Sequence, residues 1–171
     1  MLDAVRSNPP VSAMNTIRIR LATVNDTEQI LSVLVAAFEP YRHQLDPPSG
    51  VFRETPESIR HKLEIGGGFA ACDGEAMVGA VLYEAHPDYM YLGRLAVLPA
   101  YHRRHIATDL ITAVEQAACE QNLWWVRLGV RIGLAGNQRL FHSRGYEVIE
   151  QHSHEGYTEI TYLMMQKQLI R

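Results

Sequence analysis

The chain has 171 residues, 47% of them hydrophobic, and a formal net charge of -3 with histidine neutral. That length can bury a sizeable core in one domain, and the charge argues against a general nucleic-acid binder, which carries a basic excess. Two cysteines are too few for a disulfide framework and point to a reducing cytoplasm; the sequence also lacks a signal-peptide core and any apolar run of the roughly 20 residues that cross a bilayer.

Residues 1–15 hold a Pro pair, small polar side chains and little periodic hydrophobicity, the composition of a flexible leader or extended arm, so a single domain is expected over 16–171. Ile17 to Ala22 alternates apolar and polar residues as a half-buried strand does. Asn25 or Asp26 is placed to cap a helix whose Ile30, Leu31, Leu34, Val35 and Phe38 share one face. From Glu39 to Thr55 the periodicity stops, and Pro40, Pro47, Pro48 and Gly50 break up a segment of mixed charge, either a binding loop or a plain surface connection. Thr55 with Ser58 opens a short helix through Ile59 and Leu63, with Pro56 tolerated in its first turn and GGGF at its end. Asp73-Gly74 between two apolar runs predicts a hairpin of Phe69 to Cys72 and Met77 to Ala85.

His86-Pro87-Asp88 turns the chain into a strand from Met90 to Val97. Beyond it, Ala107, Leu110, Ile111, Val114 and Ala118 keep helical spacing. WWVRLGV reads as a buried strand, a short helix follows from about Asn137 to a glycine stop at Gly145, and two further strands flank His154-Glu155-Gly156. Strands alternate with helices and then close the chain, which gives an α/β or α+β class with a mixed sheet.

The turn between the Met90 strand and the long helix carries a physical conflict. His102, Arg103, Arg104 and His105 crowd basic groups at a helix N-terminus, where the helix dipole disfavours cations by about 0.3–1 kcal/mol each. A bound pyrophosphate would resolve it, on the amides of the turn and with the arginines in charge-assisted contact; the alternative is a solvated basic turn balanced by Asp109. A metal on His102 and His105 lacks a third ligand nearby, and His152, His154 and Glu155 read as an exposed turn, so no metal is expected.

The succession LAVLPAYHRRHIATDLI, amphipathic helix, strand and GNQRLFHSRGY resembles the acetyl-CoA-binding core of the GNAT acetyltransferases, and the order of elements is similar from Ile17 to Leu169. The family signature Q/R-x-x-G-x-G/A falls on His102 to Ala107, with His102 in place of Gln or Arg, His105 in place of the middle glycine, and Ala107 fitting. The resemblance implies a mainly antiparallel sheet flanked by helices, with a strand pair splayed at a bulge to admit acyl-CoA. Within it, the turn and first helical residues, His102, Arg103, Arg104, His105, Ile106, Ala107 and Thr108, would seat the pyrophosphate. If the chain at His105 is already helical, its amide still faces the ligand. Leu95, Ala96 and Val97 would offer backbone groups to the pantetheine arm and thioester. Asn137 would meet the pantetheine amides or cap its helix, and Phe141 would pack near the sulfur.

The implied activity is transfer of an acetyl group from acetyl-CoA to a primary amine, small or on a peptide or protein, by direct attack in a ternary complex. Phe141 stands where many members carry a tyrosine that protonates the leaving thiolate, which leaves water or Tyr146 as the proton source. Tyr91 stands where some members carry a glutamate base, which leaves Tyr91 itself and Glu84 on the preceding strand as candidates. The acceptor site is expected along the Phe38 to Phe52 loop, with Phe38, Tyr41, Asp46, Tyr83 and Tyr157 facing it. Other readings are an acyl-CoA-binding regulatory module without catalysis, encouraged by Phe141 and Tyr91, and a nucleic-acid binder using the HRRH turn. Neither nucleic acid nor membrane is expected as a partner, and a homodimer is left open.

Overall fold

A computed structural model describes residues 16–170, so the leader read over residues 1–15 lies outside the described residues. Seven strands, β1 (Arg18–Leu21), β2 (Gly67–Asp73), β3 (Ala76–Ala85), β4 (Met90–Val97), β5 (Trp125–Arg131), β6 (Glu147–His152) and β7 (Tyr162–Gln168), form one sheet in the order β1-β2-β3-β4-β5-β7-β6. Neighbours run antiparallel except β4 and β5, which are parallel. The helices are α1 (Thr27–Phe38), α2 (Pro56–Ile65), α3 (Ile106–Glu120) and α4 (Ala135–Ser143). The mixed, mainly antiparallel class expected from sequence is therefore the class observed.

Two periodicities meet to build two apolar layers. Ile30, Val33, Leu34 and Ala37 of α1, spaced by three or four, join Ile59 and Leu63 of α2 over Ala70, Cys72, Ala80 and Leu82, spaced by two on β2 and β3. On the other face Leu110, Ile111, Val114 and Ala118 of α3, with Phe141 of α4, cover Val81, Leu92, Val126, Leu128 and Met165. Neither α1 nor α2 contributes to that second layer.

Element starts follow their caps. Thr55 accepts from the Ser58 amide at 3.2 Å and Ser58 answers with its hydroxyl to the Thr55 amide at 2.9 Å, which opens α2 as expected. At α1 the N-cap is Asp26, one of the two residues expected, and a 3-10 turn at Val24–Asp26 precedes the helix. Asp26 there accepts from the Thr23 amide and from both terminal nitrogens of Arg20, each at 2.8 Å. The connection expected to be without structure from Glu39 to Thr55 holds 3-10 turns at Glu39–Tyr41 and Gly50–Arg53. Helix α4 starts at Ala135, two residues earlier than read, and its N-cap is Leu134.

Candidate active site

Strands β4 and β5 are paired only at Met90–Val126 and Tyr91–Arg127. Past Tyr91 they part, so from Leu92 onward β4 lacks a strand partner on that edge, and its edge groups face a cleft of 970 Å³. The cause is on β4 itself. Between Ala80–Ala96 and Leu82–Gly93, one β3 residue opposes Arg94 and Leu95, a β-bulge whose Arg94 has φ of 52°. The Tyr91 hydroxyl reaches across the fork to Gly129, and burial pushes the phenol up from its ordinary range. Leu95, Ala96 and Val97 line the cleft.

The N-terminus of α3 closes one end. Asp109 is the residue whose amide bonds back to the His105 carbonyl, at 2.9 Å, which leaves the amides of Ile106, Ala107 and Thr108 without intrahelical partners. All three residues line the cleft, and no side chain caps the helix. His105 is not helical, so the condition under which its amide would face the ligand is not met: at φ 61° and ψ 10° it adopts the left-handed conformation that the signature's glycine allows without strain. Arg103 also has φ of 61°. Three orphan amides and a helix dipole directed into one cleft fit a pyrophosphate. The basic side chains divide their work. Arg103 and His105 line the cleft, whereas Arg104 is not among the lining residues and lies over the Tyr101 ring, 5.1 Å from its centroid. His102 lines the cleft too, but its Nε2 lies 3.0 Å from the Val97 carbonyl, to which it donates, tying the turn onto the end of β4.

Helix α4 forms the facing wall. Asn137 lines the cleft at the third position of the helix, so it is not the cap, and its side-chain amide has no protein partner among the described residues. It remains available for a ligand amide. Phe141, only 5% exposed, lines the cleft and meets Tyr146 edge-on at 5.7 Å.

Of the catalytic candidates only Tyr91 lines the cleft. Tyr146 is fully buried and donates to Glu115 at 3.0 Å; burial first, then the Glu115 charge, pushes its phenol upward, so it is a structural group and not the acid expected. Glu84 lies off the cleft, its carboxylate 3.9 Å from the His86 ring. Of the acceptor candidates Phe38 lines the cleft; Tyr83 instead packs on Phe69 at 5.6 Å, off the cleft, and Tyr41 packs edge-on against Phe38. Asp46 and Tyr157 sit at the rim and bond to each other, the Tyr157 hydroxyl donating. The Pro47 carbonyl accepts from Arg131 at 2.6 Å, so the α1–α2 connection is fastened to the end of β5 and to the β6–β7 connection.

Three side chains that were not singled out from sequence, Arg53, Arg94 and Arg131, line the cleft on this side together with His154. His154, read as part of an exposed turn, faces Thr161 with its Nδ1 and is held below its ordinary range by burial, then by Arg131 and Arg53. Arg94 is neutralised by Glu54, 2.6 Å away, which also takes Lys62 at 3.0 Å and the Ser58 hydroxyl. Burial pushes the Glu54 carboxyl up, but hydrogen bonds from Ser58, Arg94 and Lys62 outweigh it and hold the group below the usual carboxylate range. A second hollow of 790 Å³, beside Trp124, Trp125 and Asn122, shows no comparable convergence of basic groups and free backbone.

Relatives share this architecture. The chain superimposes on PaiA N-acetyltransferase from Thermoplasma acidophilum in complex with coenzyme A with a TM-score of 0.75, at 17% identity over 90% of this chain and 99% of that one. An acetyltransferase of the GNAT family from Staphylococcus aureus gives 0.73 at 16% identity, covering 91% and 100%. The ribosomal-protein-S18-alanine N-acetyltransferase from Escherichia coli gives 0.74 at 16%, covering 90% and 94%. At such identities the likeness is one of fold, and comparison of the sequence with curated proteins gives no match. The profile of the Acetyltransferase (GNAT) family matches residues 29–146, a stretch that contains the bulged strand, the left-handed turn and helix α3. The chain belongs to the GNAT acetyltransferase family.

Proposed function

We propose that this protein transfers an acetyl group from acetyl-CoA to a primary amine by direct attack in a ternary complex. The observation that carries the reading is the parting of β4 from β5 at a bulge that faces the uncapped N-terminus of α3. Acetyl-CoA supplies the thioester, whose carbonyl carbon forms a C–N bond with the amine as the C–S bond breaks, the amine losing a proton and the sulfur leaving as a thiol.

The chain's own contributions follow from position. Amides of Ile106, Ala107 and Thr108, with Arg103, hold the pyrophosphate, and Asn137 orients the pantetheine arm. The unpaired edge of β4 at Leu95 and Val97 supplies backbone N–H to the acyl oxygen, where negative charge develops during attack. His154 lines the cleft and stays neutral near pH 7, so it is the group placed to accept the amine proton. Phe141 cannot protonate the departing sulfur and Tyr146 is committed to Glu115, so the thiol takes its proton from water. Holding donor and acceptor together in one cleft supplies the larger share of the acceleration.

Thermal-shift titration with acetyl-CoA, followed by thiol release with pooled primary amines, tests the reading. Stabilisation together with amine-dependent thiol release is the expected result. Absence of stabilisation at millimolar acetyl-CoA would sink the donor assignment, and binding without release over a broad amine pool would favour a regulatory module.

A further inference from the structure

The cleft passes through the sheet, with the turn before α3 and helix α4 at one mouth and the Gly50–Arg53 turn, the end of α1 and β7 at the other. The second mouth has a distinct charge. Arg53, Arg131 and His154 converge there, for both guanidinium charges act on the His154 ring. Among the described residues no aspartate or glutamate lines the cleft. Nor does either arginine form an ion pair among those residues: Arg131 donates only to the backbone carbonyls of Pro47, at 2.6 Å, and Thr161, at 3.4 Å. Asp46, the carboxylate that acts on Arg131 from farther off, accepts the Tyr157 hydroxyl at the rim and does not reach the cleft. Arg94, by contrast, has its charge matched by Glu54.

Arg131 is half-buried, its Nη2 and Nε are held by backbone carbonyls, and its charge is left without an ion-pair partner among the described residues in a place that a ligand enters. Planar guanidinium groups match carboxylates, and a second cation on the mouth discriminates against polycationic amines. Resting on the acetyl-transfer reading above, we infer that the acceptor is a small amine bearing a carboxylate close to its nitrogen, as α-amino acids do, seated by Arg131 and Arg53. That seat places the amine beside His154, on the acceptor side of the β4 edge. Polyamines and aminoglycosides have no counter-charge in this cleft.

The test measures thiol release from acetyl-CoA with amines paired so that only the carboxylate differs: phenylalanine against phenethylamine, tyrosine against tyramine, and amino acids against their amides, with spermidine as the polycation. The acid of at least one pair is expected to exceed its partner in kcat/KM by about tenfold or more, as when a site built for a polar group meets an analogue lacking it. Arg131→Gln and Arg53→Gln are expected to bring that ratio toward one through KM, with Arg131→Lys restoring part of it. Thermal stabilisation by acetyl-CoA reports folding and donor binding in each variant. Preference for the decarboxylated amines or spermidine, or a ratio unchanged in both Gln variants, overturns the inference. So does an arginine-dependent preference for succinyl-CoA over acetyl-CoA with neutral amines, which would mean that the arginines hold the donor. If acetyl-CoA neither binds nor reacts, the acetyl-transfer reading falls separately. Calorimetric binding of N-acetylphenylalanine against its amide then judges the arginine seat, and equal affinity overturns it.

Discussion

His105→Gly tests the account of the signature turn. At φ 61° and ψ 10° His105 occupies the left-handed region, which costs an L-residue about 1–2 kcal/mol. Glycine removes that cost but adds unfolded-state freedom worth roughly 0.5–1 kcal/mol, so the expected net is stabilisation of about 0.5 kcal/mol. At about 2–4 °C per kcal/mol for a chain of this size, Tm rises by one or two degrees. His105→Val should go the other way, by more than about 1 kcal/mol, because a β-branched residue is a true outlier there. Urea denaturation of the three proteins gives the order Gly, His, Val. Acetyl-CoA affinity, measured by calorimetry, should not fall in His105→Gly, since the helix amides rather than the imidazole face the pyrophosphate. A glycine variant less stable than the parent by about 1 kcal/mol, or a valine variant equal to it, would refute the conformational argument. Lost acetyl-CoA affinity would refute the backbone one.

Three further perturbations read other parts of the molecule. Glu115→Ala leaves Lys167, held at 2.9 Å, and the buried Tyr146 hydroxyl without their acceptor, and a cost of about 3–5 kcal/mol is expected in chemical denaturation. Arg94→Ala exposes the opposite dependence: Glu54, whose side chain is 4% exposed, keeps Lys62 and Ser58 but loses its link to the bulge. A loss of about 2–3 kcal/mol follows, and the double variant with Glu54→Leu should recover part of it. Hydrogen bonds from Arg20 hold the Asp26 carboxyl below its ordinary range. Its contribution is therefore fully present above the unfolded value near pH 4 and lost as pH falls through the folded value. Asp26→Asn should flatten the stability profile below about pH 4 and lower the plateau above it by roughly 1–3 kcal/mol.

Legibility in the sequence followed the range of the interaction. Strand β4 was readable to the residue because period two and a Leu98-Pro99 stop are local, and α2 because Thr55 and Ser58 announce their own cap. The bulge was not readable from Arg94. Positive φ favours glycine, and the glycine of that strand is one position earlier, at Gly93. His105 likewise hides its left-handed conformation behind a side chain that resembles a helical start. Tyr146 looked like a free phenol because its partner Glu115 lies 31 residues away. The acceptor mouth was the least legible part, since Arg131 meets Pro47 across 84 residues and Tyr157 meets Asp46 across 111. No period or motif encodes such contacts. Arg131, directly after the stretch WWVRLGV read as a buried strand, was nevertheless a signal, because a charge at such a place requires a partner or a cavity.

The two mouths of the cleft explain why the sheet is broken where it is. Parting two parallel strands forfeits ladder hydrogen bonds, and unpaired strand edges invite pairing with other chains. Here the open edges lie inside the molecule, roofed by α4 on one face and by the Gly50–Arg53 turn on the other, so a ligand reaches them and another strand does not. The fork is braced at its base by Tyr91 against Gly129, while the bulge is anchored through Arg94 to Glu54. On the proposed reading, donor phosphates go to the helix amides at one mouth and the acceptor's carboxylate to guanidinium groups without an ion pair among the described residues at the other. Each proposed ligand presents an anionic group, a pyrophosphate or a carboxylate, to its own mouth, so neither competes for the other's. The only neutral proton acceptor between the guanidinium groups and the β4 edge, among the described lining residues on the acceptor side, is His154. On that proposal, an α-amine delivered by its carboxylate arrives beside the group placed to deprotonate it.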